Sequence, residues 1–218
     1  ARKENSDIKE YTIYRFDGSV WTPKDGKYLL WVEDRISLEA YYPSEIGLKA
    51  LKGETPVPQT DQSTEENIAK ADHMGETLYG VAKTKEPLHF TMQRWMARFI
   101  VKIAGFNSEF PADAKVENVK FLNTSNATPV TYIPYAEGDG KTGSTYTVLV
   151  PWNAEYNTIS LEVGGKTMTA KLQENRYDIG KSYTYRLTVG KEKLEPGEVT
   201  VADWSGSTVI TGGEAQAD

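Results

Sequence analysis

The run Ile159-Ser-Leu-Glu-Val-Gly-Gly-Lys-Thr-Met-Thr-Ala-Lys-Leu172 decides the fold class. Ile159, Leu161 and Val163 alternate with polar residues up to Gly164-Gly165, and Met168, Ala170 and Leu172 alternate after it. A period of two places the apolar set on one face of a strand, whereas a helix repeats near 3.6. Two such runs joined by two glycines read as a tight hairpin, because type I′ and II′ turns need positive φ.

The same period recurs outward from this hairpin. Tyr146, Val148 and Val150 alternate up to Pro151; Tyr183, Tyr185, Leu187 and Val189 alternate further on; Val199 and Val201 lead to Trp204. In the first half, Ile36, Leu38, Ala40 and Tyr42 face one way until Pro43 ends the run, and residues 11–16 and 28–32 are further strand candidates. Short strands at this spacing predict an all-β protein of antiparallel β-sandwiches. One helix is expected, where Ser63 and Glu66 read as a capping box for a segment ending near Asp72. Residues 53–62, with two prolines, read as a loop, and residues 1–10 as a loose, aperiodic start.

Residues 88–103 carry a change of parity. Leu88, Phe90 and Met92 are even, whereas Trp95, Ala97, Phe99, Val101 and Ile103 are odd. A strand changes parity only at a bulge or a break, expected here near Gln93-Arg94. A strand passing from one packing environment to another explains it. The expected domains are therefore residues 1–86 and 87–218, with Trp95, Phe99, Val101 and Ile103 buried together.

Composition removes several function classes. Acidic residues outnumber basic ones 31 to 25 and the signs are interspersed, so no basic stripe exists for nucleic acid or an anionic membrane. No cysteine is present, which excludes a thiol nucleophile, a zinc ribbon and a disulfide frame; in an exported chain this points to bacterial export. No apolar run approaches the roughly 18–20 residues of a membrane helix. A first residue of Ala1 rather than Met reads as a processed or shortened form.

The chemistry-bearing residues do not converge. His73 and His89 lack the spacing of a metal pair and read as surface or domain-join histidines. No frame for a Ser-His-Asp triad is present. The run from Glu137 to Gly143 superficially resembles a calcium or phosphate loop, but its spacing fits neither and it reads as a hairpin tip. Asn123-Thr-Ser and Asn126-Ala-Thr, which match the glycosylation sequon, read as a polar loop. Thirteen tyrosines and five tryptophans could stack on sugar rings, yet Tyr146, Tyr183 and Tyr185 share their face with Val and Leu, which suits a core. No catalytic residue, metal site or cofactor is expected, and the chain does not read as an enzyme.

Beyond Trp204 the closing strand is finished, yet Thr208, Val209, Ile210 and Thr211 form a β-branched run between Gly206 and Gly212. It has the composition of a strand without a place in its own domain. An edge strand, a disordered tail and a strand for donation to another subunit all fit it.

The order of landmarks is similar to that of the fimbrillin (Mfa-like) family of Bacteroidetes. The run from Leu88 to Ile103, with Ala97-Arg98 inside it, resembles the family's long strand, and Ala40-Tyr-Tyr-Pro43 resembles an early one. The series Asp61-Gln62, Ala71-Asp72 and Leu78-Tyr-Gly80 resembles the preceding loop. Gly180-Lys-Ser-Tyr-Thr-Tyr185 and Val201-Ala-Asp-Trp204 resemble the two closing strands. The resemblance spans about residues 11–205 and implies two tandem transthyretin-like, Greek-key sandwiches. It further implies export to the cell surface and outer membrane as a lipoprotein, through a lipid anchor that this chain lacks. It implies a stalk, anchor or tip role in a fimbrium, joined to other fimbrial subunits by strand exchange and adhering to a surface glycan or protein. The rival reading is a monomeric carbohydrate-binding surface module.

Overall fold

The computed structural model of the chain describes residues 2–3, 10–31, 33–123, 129–151, 156–172, 177–190, 194–204 and 209–211. Strands β1 (Arg2–Lys3), β2 (Tyr14–Phe16), β3 (Trp21–Pro23) and β4 (Arg35–Tyr42) precede helix α1 (Ser44–Leu51). Helix α2 (Glu65–Ala71) leads into β5 (Met74–Ala82), β6 (His89–Thr91), β7 (Gln93–Arg94) and β8 (Met96–Phe106). Then come β9 (Glu117–Asn123), β10 (Val130–Tyr132), β11 (Tyr135–Glu137), β12 (Thr145–Pro151) and β13 (Tyr156–Val163). The chain finishes with β14 (Lys166–Lys171), β15 (Lys181–Val189), β16 (Leu194–Asp203) and β17 (Val209–Thr211). The protein is all-β, with two short helices.

Two compact units are interleaved in sequence. One comprises Ala1–Pro56, His73–Arg94 and Gly206–Asp218; the other comprises Val57–Asp72 and Trp95–Ser205. A single cut near residue 86 describes neither. The loop before α2 and α2 itself join the second unit through long-range hydrogen bonds, and β17 joins the first through a ladder with β6.

In the first unit, β1, β4, β5 and β7 form a four-stranded sheet in that order. The alternation of β4 buries Ile36 and Leu38 as expected. Opposite them, β5 carries one residue too many: the register steps from Ile36↔Val81 to Leu38↔Leu78. Gly80, at φ +56°, absorbs the extra residue as a bulge, and its carbonyl accepts a 2.7 Å hydrogen bond from Arg35 Nη1. The β2–β3 ribbon pairs Phe16 with Trp21. Among the described residues, 28–31 form no strand.

Helix α1 is an addition to the sequence reading. It starts directly after Pro43 without a side-chain cap, so it lacks the start signal that marks α2. Its end is marked: Gly53, at φ +73°, and Glu54 donate back to Ala50 O and Lys49 O, the Schellman pattern. The start of α2 is also corrected. Thr64 is its N-cap, with Oγ1 accepting from Asn67 N at 3.1 Å, while Ser63 donates to Asp61 and Glu66 pairs with Lys70.

The second unit is a sandwich of a five-stranded sheet (β11-β12-β8-β15-β16) and a four-stranded sheet (β10-β9-β13-β14). Ala97, Phe99, Val101 and Ile103 of β8 sit in one core with Phe121 of β9, Val148 of β12 and Ile159 of β13. Phe99 lies at its centre, stacked near Tyr183 and Tyr185 and edge-on to Tyr177. Val163 pairs with Lys166 across Gly164-Gly165, both at positive φ, so the two-glycine hairpin stands as read. One pairing departs from an all-antiparallel sandwich: β8 and β15 run parallel. They are distant in sequence, so no tight turn imposes an antiparallel partner.

The parity change falls between strands rather than on a bulge. Met92 separates β6 from β7, and Trp95 separates β7 from β8. Trp95 is therefore not on the Phe99 face. It packs instead beside Ala71, Met96 and Leu149, because a residue outside the ladder is free of the strand's alternation.

Candidate assembly elements

The ionisable residues are dispersed. Among the described residues, no group of three His, Cys, Asp or Glu side chains is placed to hold a metal ion. Of the two expected places, His89 takes the surface, exposed on β6, and His73 takes the join, buried at the first residue after the chain leaves the second unit at Asp72; its Nδ1 has no hydrogen-bond partner. Burial pushes its imidazole down to about 4, and the charge of Lys49 adds to this. The loop after β11 is tied down rather than loose: Gly140 donates to Ser144 Oγ at 3.0 Å and accepts from Val116 N at 2.8 Å. Residues 124–128, which include most of both sequons, lie outside the described residues.

The landmarks spread along the sequence meet at one end of the five-stranded sheet. Gly180 N–H donates to Met96 O at 3.0 Å, and Trp204 N–H donates to Gly180 O at 2.8 Å. Arg98 Nε donates to Ser182 Oγ at 3.0 Å, and its guanidinium lies 4.9 Å from the centre of a Trp204 ring. Lys181 forms an ion pair with Asp203, which raises the lysine's affinity for its proton. Trp204 also packs against the Ala71, Met96 and Leu149 cluster. The long strand, the Gly-Lys-Ser strand and the Asp-Trp close thus form one clasp. It orients no reacting group. Its effect is to fix the last residue of the sandwich from which the tail departs.

Gln62 is a second fastening, which the sequence marks only as part of the Asp61-Gln62 landmark and without a role. Strand β11 pairs with β12 only as far as Thr147, which leaves the main chain of Leu149 without a strand partner on that side. The fully buried Gln62 amide takes that place, donating to Leu149 O and accepting from Leu149 N, both at 2.8 Å. A lone glutamine in a polar loop shows none of this in sequence.

Of the tail residues singled out, Val209, Ile210 and Thr211 form β17, and Thr208 lies outside the described residues. The tail strand pairs antiparallel with β6 of the first unit: Val209↔Thr91, Ile210↔Phe90 and Thr211↔His89. The first unit also leaves much apolar surface open, with Tyr11, Phe16, Val20, Tyr28 and Leu30 exposed and Tyr79 at 82%.

A family model described as fimbrillin-like matches residues 1–204. Solved structures of similar fold come from Bacteroides. A candidate cell-adhesion protein of Bacteroides uniformis aligns at TM-score 0.53 and 16% identity, covering 87% of this chain and 78% of its own. One from Bacteroides ovatus aligns at 0.54 and 16%, covering 79% and 69%. A fimbrial protein of Bacteroides ovatus aligns at 0.50 and 23%, covering 83% of this chain and 40% of its own. No curated protein sequence matches the chain.

Proposed function

Since the chain belongs to the fimbrillin-like family, we propose that this pilus-related surface protein is a fimbrial subunit joined to its neighbours by donation of its C-terminal tail strand. It is a structural protein rather than an enzyme. The observation that carries the proposal is the position of β17. The sandwich of the second unit is complete without it, yet the chain continues past Trp204 and forms another strand. A strand outside its own sandwich is suited to pair with a sheet edge elsewhere, gaining main-chain hydrogen bonds and burial. The open apolar surface of the first unit supports the same reading, since a completed neighbour would cover it. Attachment to the outer membrane through a lipid anchor, and adhesion to a surface glycan or protein, are parts of the same proposal.

Deletion of residues 207–218 tests it. The expected result is a folded monomer that no longer joins other subunits. Unchanged assembly would remove the tail from the mechanism. The carbohydrate-binding reading has one observation in its favour: Phe16 and Trp21 stack at 5.1 Å on the β2–β3 ribbon, with Phe16 exposed. Glycan binding by the monomer, lost in Phe16→Ala together with Trp21→Ala, would favour it.

A further inference from the structure

The outer face of the five-stranded sheet is covered at one end and open at the other. At the covered end, Ile68 and Ala71 of α2 cluster with Met96, Leu149 and Trp204. Beyond that cluster, the residues opposite in parity to the buried Val101, Ile103, Val148 and Tyr185 point outward. The register sets them in two rows. One runs Thr147, Ile100, Thr184 and Thr200 across β12, β8, β15 and β16; the next runs Thr145, Lys102 and Arg186 across β12, β8 and β15. We propose that this open half-face binds an acidic polysaccharide, Lys102 and Arg186 holding a sugar carboxylate while the threonine row meets the ring hydroxyls. The inference rests on the reading that the subunit adheres to a surface glycan, and it adds the face and the ligand's charge.

Three observations carry it. The first is an unmatched pair of cations. Lys102 and Arg186 are register partners on strands about 4.8 Å apart, and like charges directly opposed are destabilising. Among the described residues no carboxylate forms an ion pair with either. The acid on their row, Glu137, stands two strands from Lys102 and accepts from Thr145 Oγ1 at 3.1 Å. With 31 acidic residues against 25 basic ones, the chain does not lack carboxylates to place there. An anionic ligand removes the repulsion, and the guanidinium fork matches a carboxylate through two hydrogen bonds. The second observation is the row beside the cations. Thr147 and Thr184 flank Ile100, each one strand away, so hydroxyls border an apolar centre. A pyranose carries the complementary mixture, hydroxyls at its rim and C–H groups on its face, whereas an acidic peptide does not. The third is the build of the floor. Strand β8 is paired on both sides, and α2 is tied to the sheet edge by Tyr135, whose hydroxyl donates to Glu65 at 3.2 Å. Side chains on such strands are held more precisely than on loops.

The full-length chain would be titrated calorimetrically with polygalacturonate, with dextran as the neutral polysaccharide and poly-L-glutamate as an acidic chain without sugar. Polygalacturonate should bind, more weakly as salt is raised, with dextran and poly-L-glutamate weaker by about tenfold or more. Lys102→Gln combined with Arg186→Gln should lower its affinity by about tenfold or more while the unfolding midpoint is kept, since both side chains point outward. Thr184→Val should lower affinity about threefold with an unchanged salt dependence, because it removes a hydroxyl and no charge. A folded double variant that binds as tightly as the parent overturns the assignment of this face and leaves glycan adhesion standing. Poly-L-glutamate binding as tightly as polygalacturonate overturns the polysaccharide as occupant in favour of an acidic protein segment. A parent chain that binds no polysaccharide overturns both the site and the adhesion reading on which it rests.

Discussion

The guanidinium of Arg98 lies 4.9 Å from the centre of a Trp204 ring, while its Nε donates to Ser182. This couples the start of β8 to the end of β16, two segments about a hundred residues apart in sequence. A partly buried cation over an indole contributes about 0.5–2 kcal/mol. A double-mutant cycle of Arg98→Ala and Trp204→Ala by urea unfolding should return a coupling of about 1 kcal/mol. Additive losses would show that the stacking is geometry without energy.

Phe99 is the centre of the sandwich core, fully buried and in ring contact with Phe121, Tyr177, Tyr183 and Tyr185. Phe99→Ala should destabilise the second unit by about 3–5 kcal/mol, since both transfer free energy and ring packing are lost. Chemical denaturation followed by tryptophan fluorescence measures it. A loss under about 1 kcal/mol would mean that the cavity collapses freely, contrary to close packing.

Gln62→Ala removes the amide that satisfies both main-chain groups of Leu149. Each buried group left without a partner costs about 1–3 kcal/mol, so a loss of about 2–6 kcal/mol is expected for the two. Amide hydrogen exchange should locate the damage: protection at Leu149 falls, while that of the β13–β14 hairpin is retained.

His73 titrates at about 4 rather than 6.5 because burial disfavours the imidazolium. The unfolded chain therefore binds this proton more readily, and stability is lost as pH falls from about 6.5 towards 4. Above 6.5 the residue is neutral in both states and contributes no pH dependence. A His73→Leu variant should have a smaller stability loss than the parent across that window, as measured by denaturation midpoints at pH 7 and pH 4.5. Equal slopes would place the titration elsewhere.

The parts legible in sequence were local. The alternation of Ile159 to Leu172 and its two glycines specify a hairpin whatever surrounds it, because period and turn sterics act within a few residues. Alternation likewise marked the buried faces of β4, β8, β12 and β15. Where the local signal is weak, an element or its first residue is not specified by the residues themselves. Thr64 rather than Ser63 caps α2, and α1 has no side-chain cap to announce it.

The sequence by itself determined the long alternating strands β4, β8, β12, β14 and β15, which side of each is apolar, and that the tail has the composition of a strand. Only the tertiary structure decided the partners. β15 lies parallel to β8, Gln62 stands in for a missing strand beside Leu149, and the tail pairs with β6 rather than with the sheet it follows. The physical reason lies in the range of the forces. Side-chain period is written residue by residue, whereas a ladder partner is chosen by burial and hydrogen-bond satisfaction summed over strands that may be a hundred residues apart.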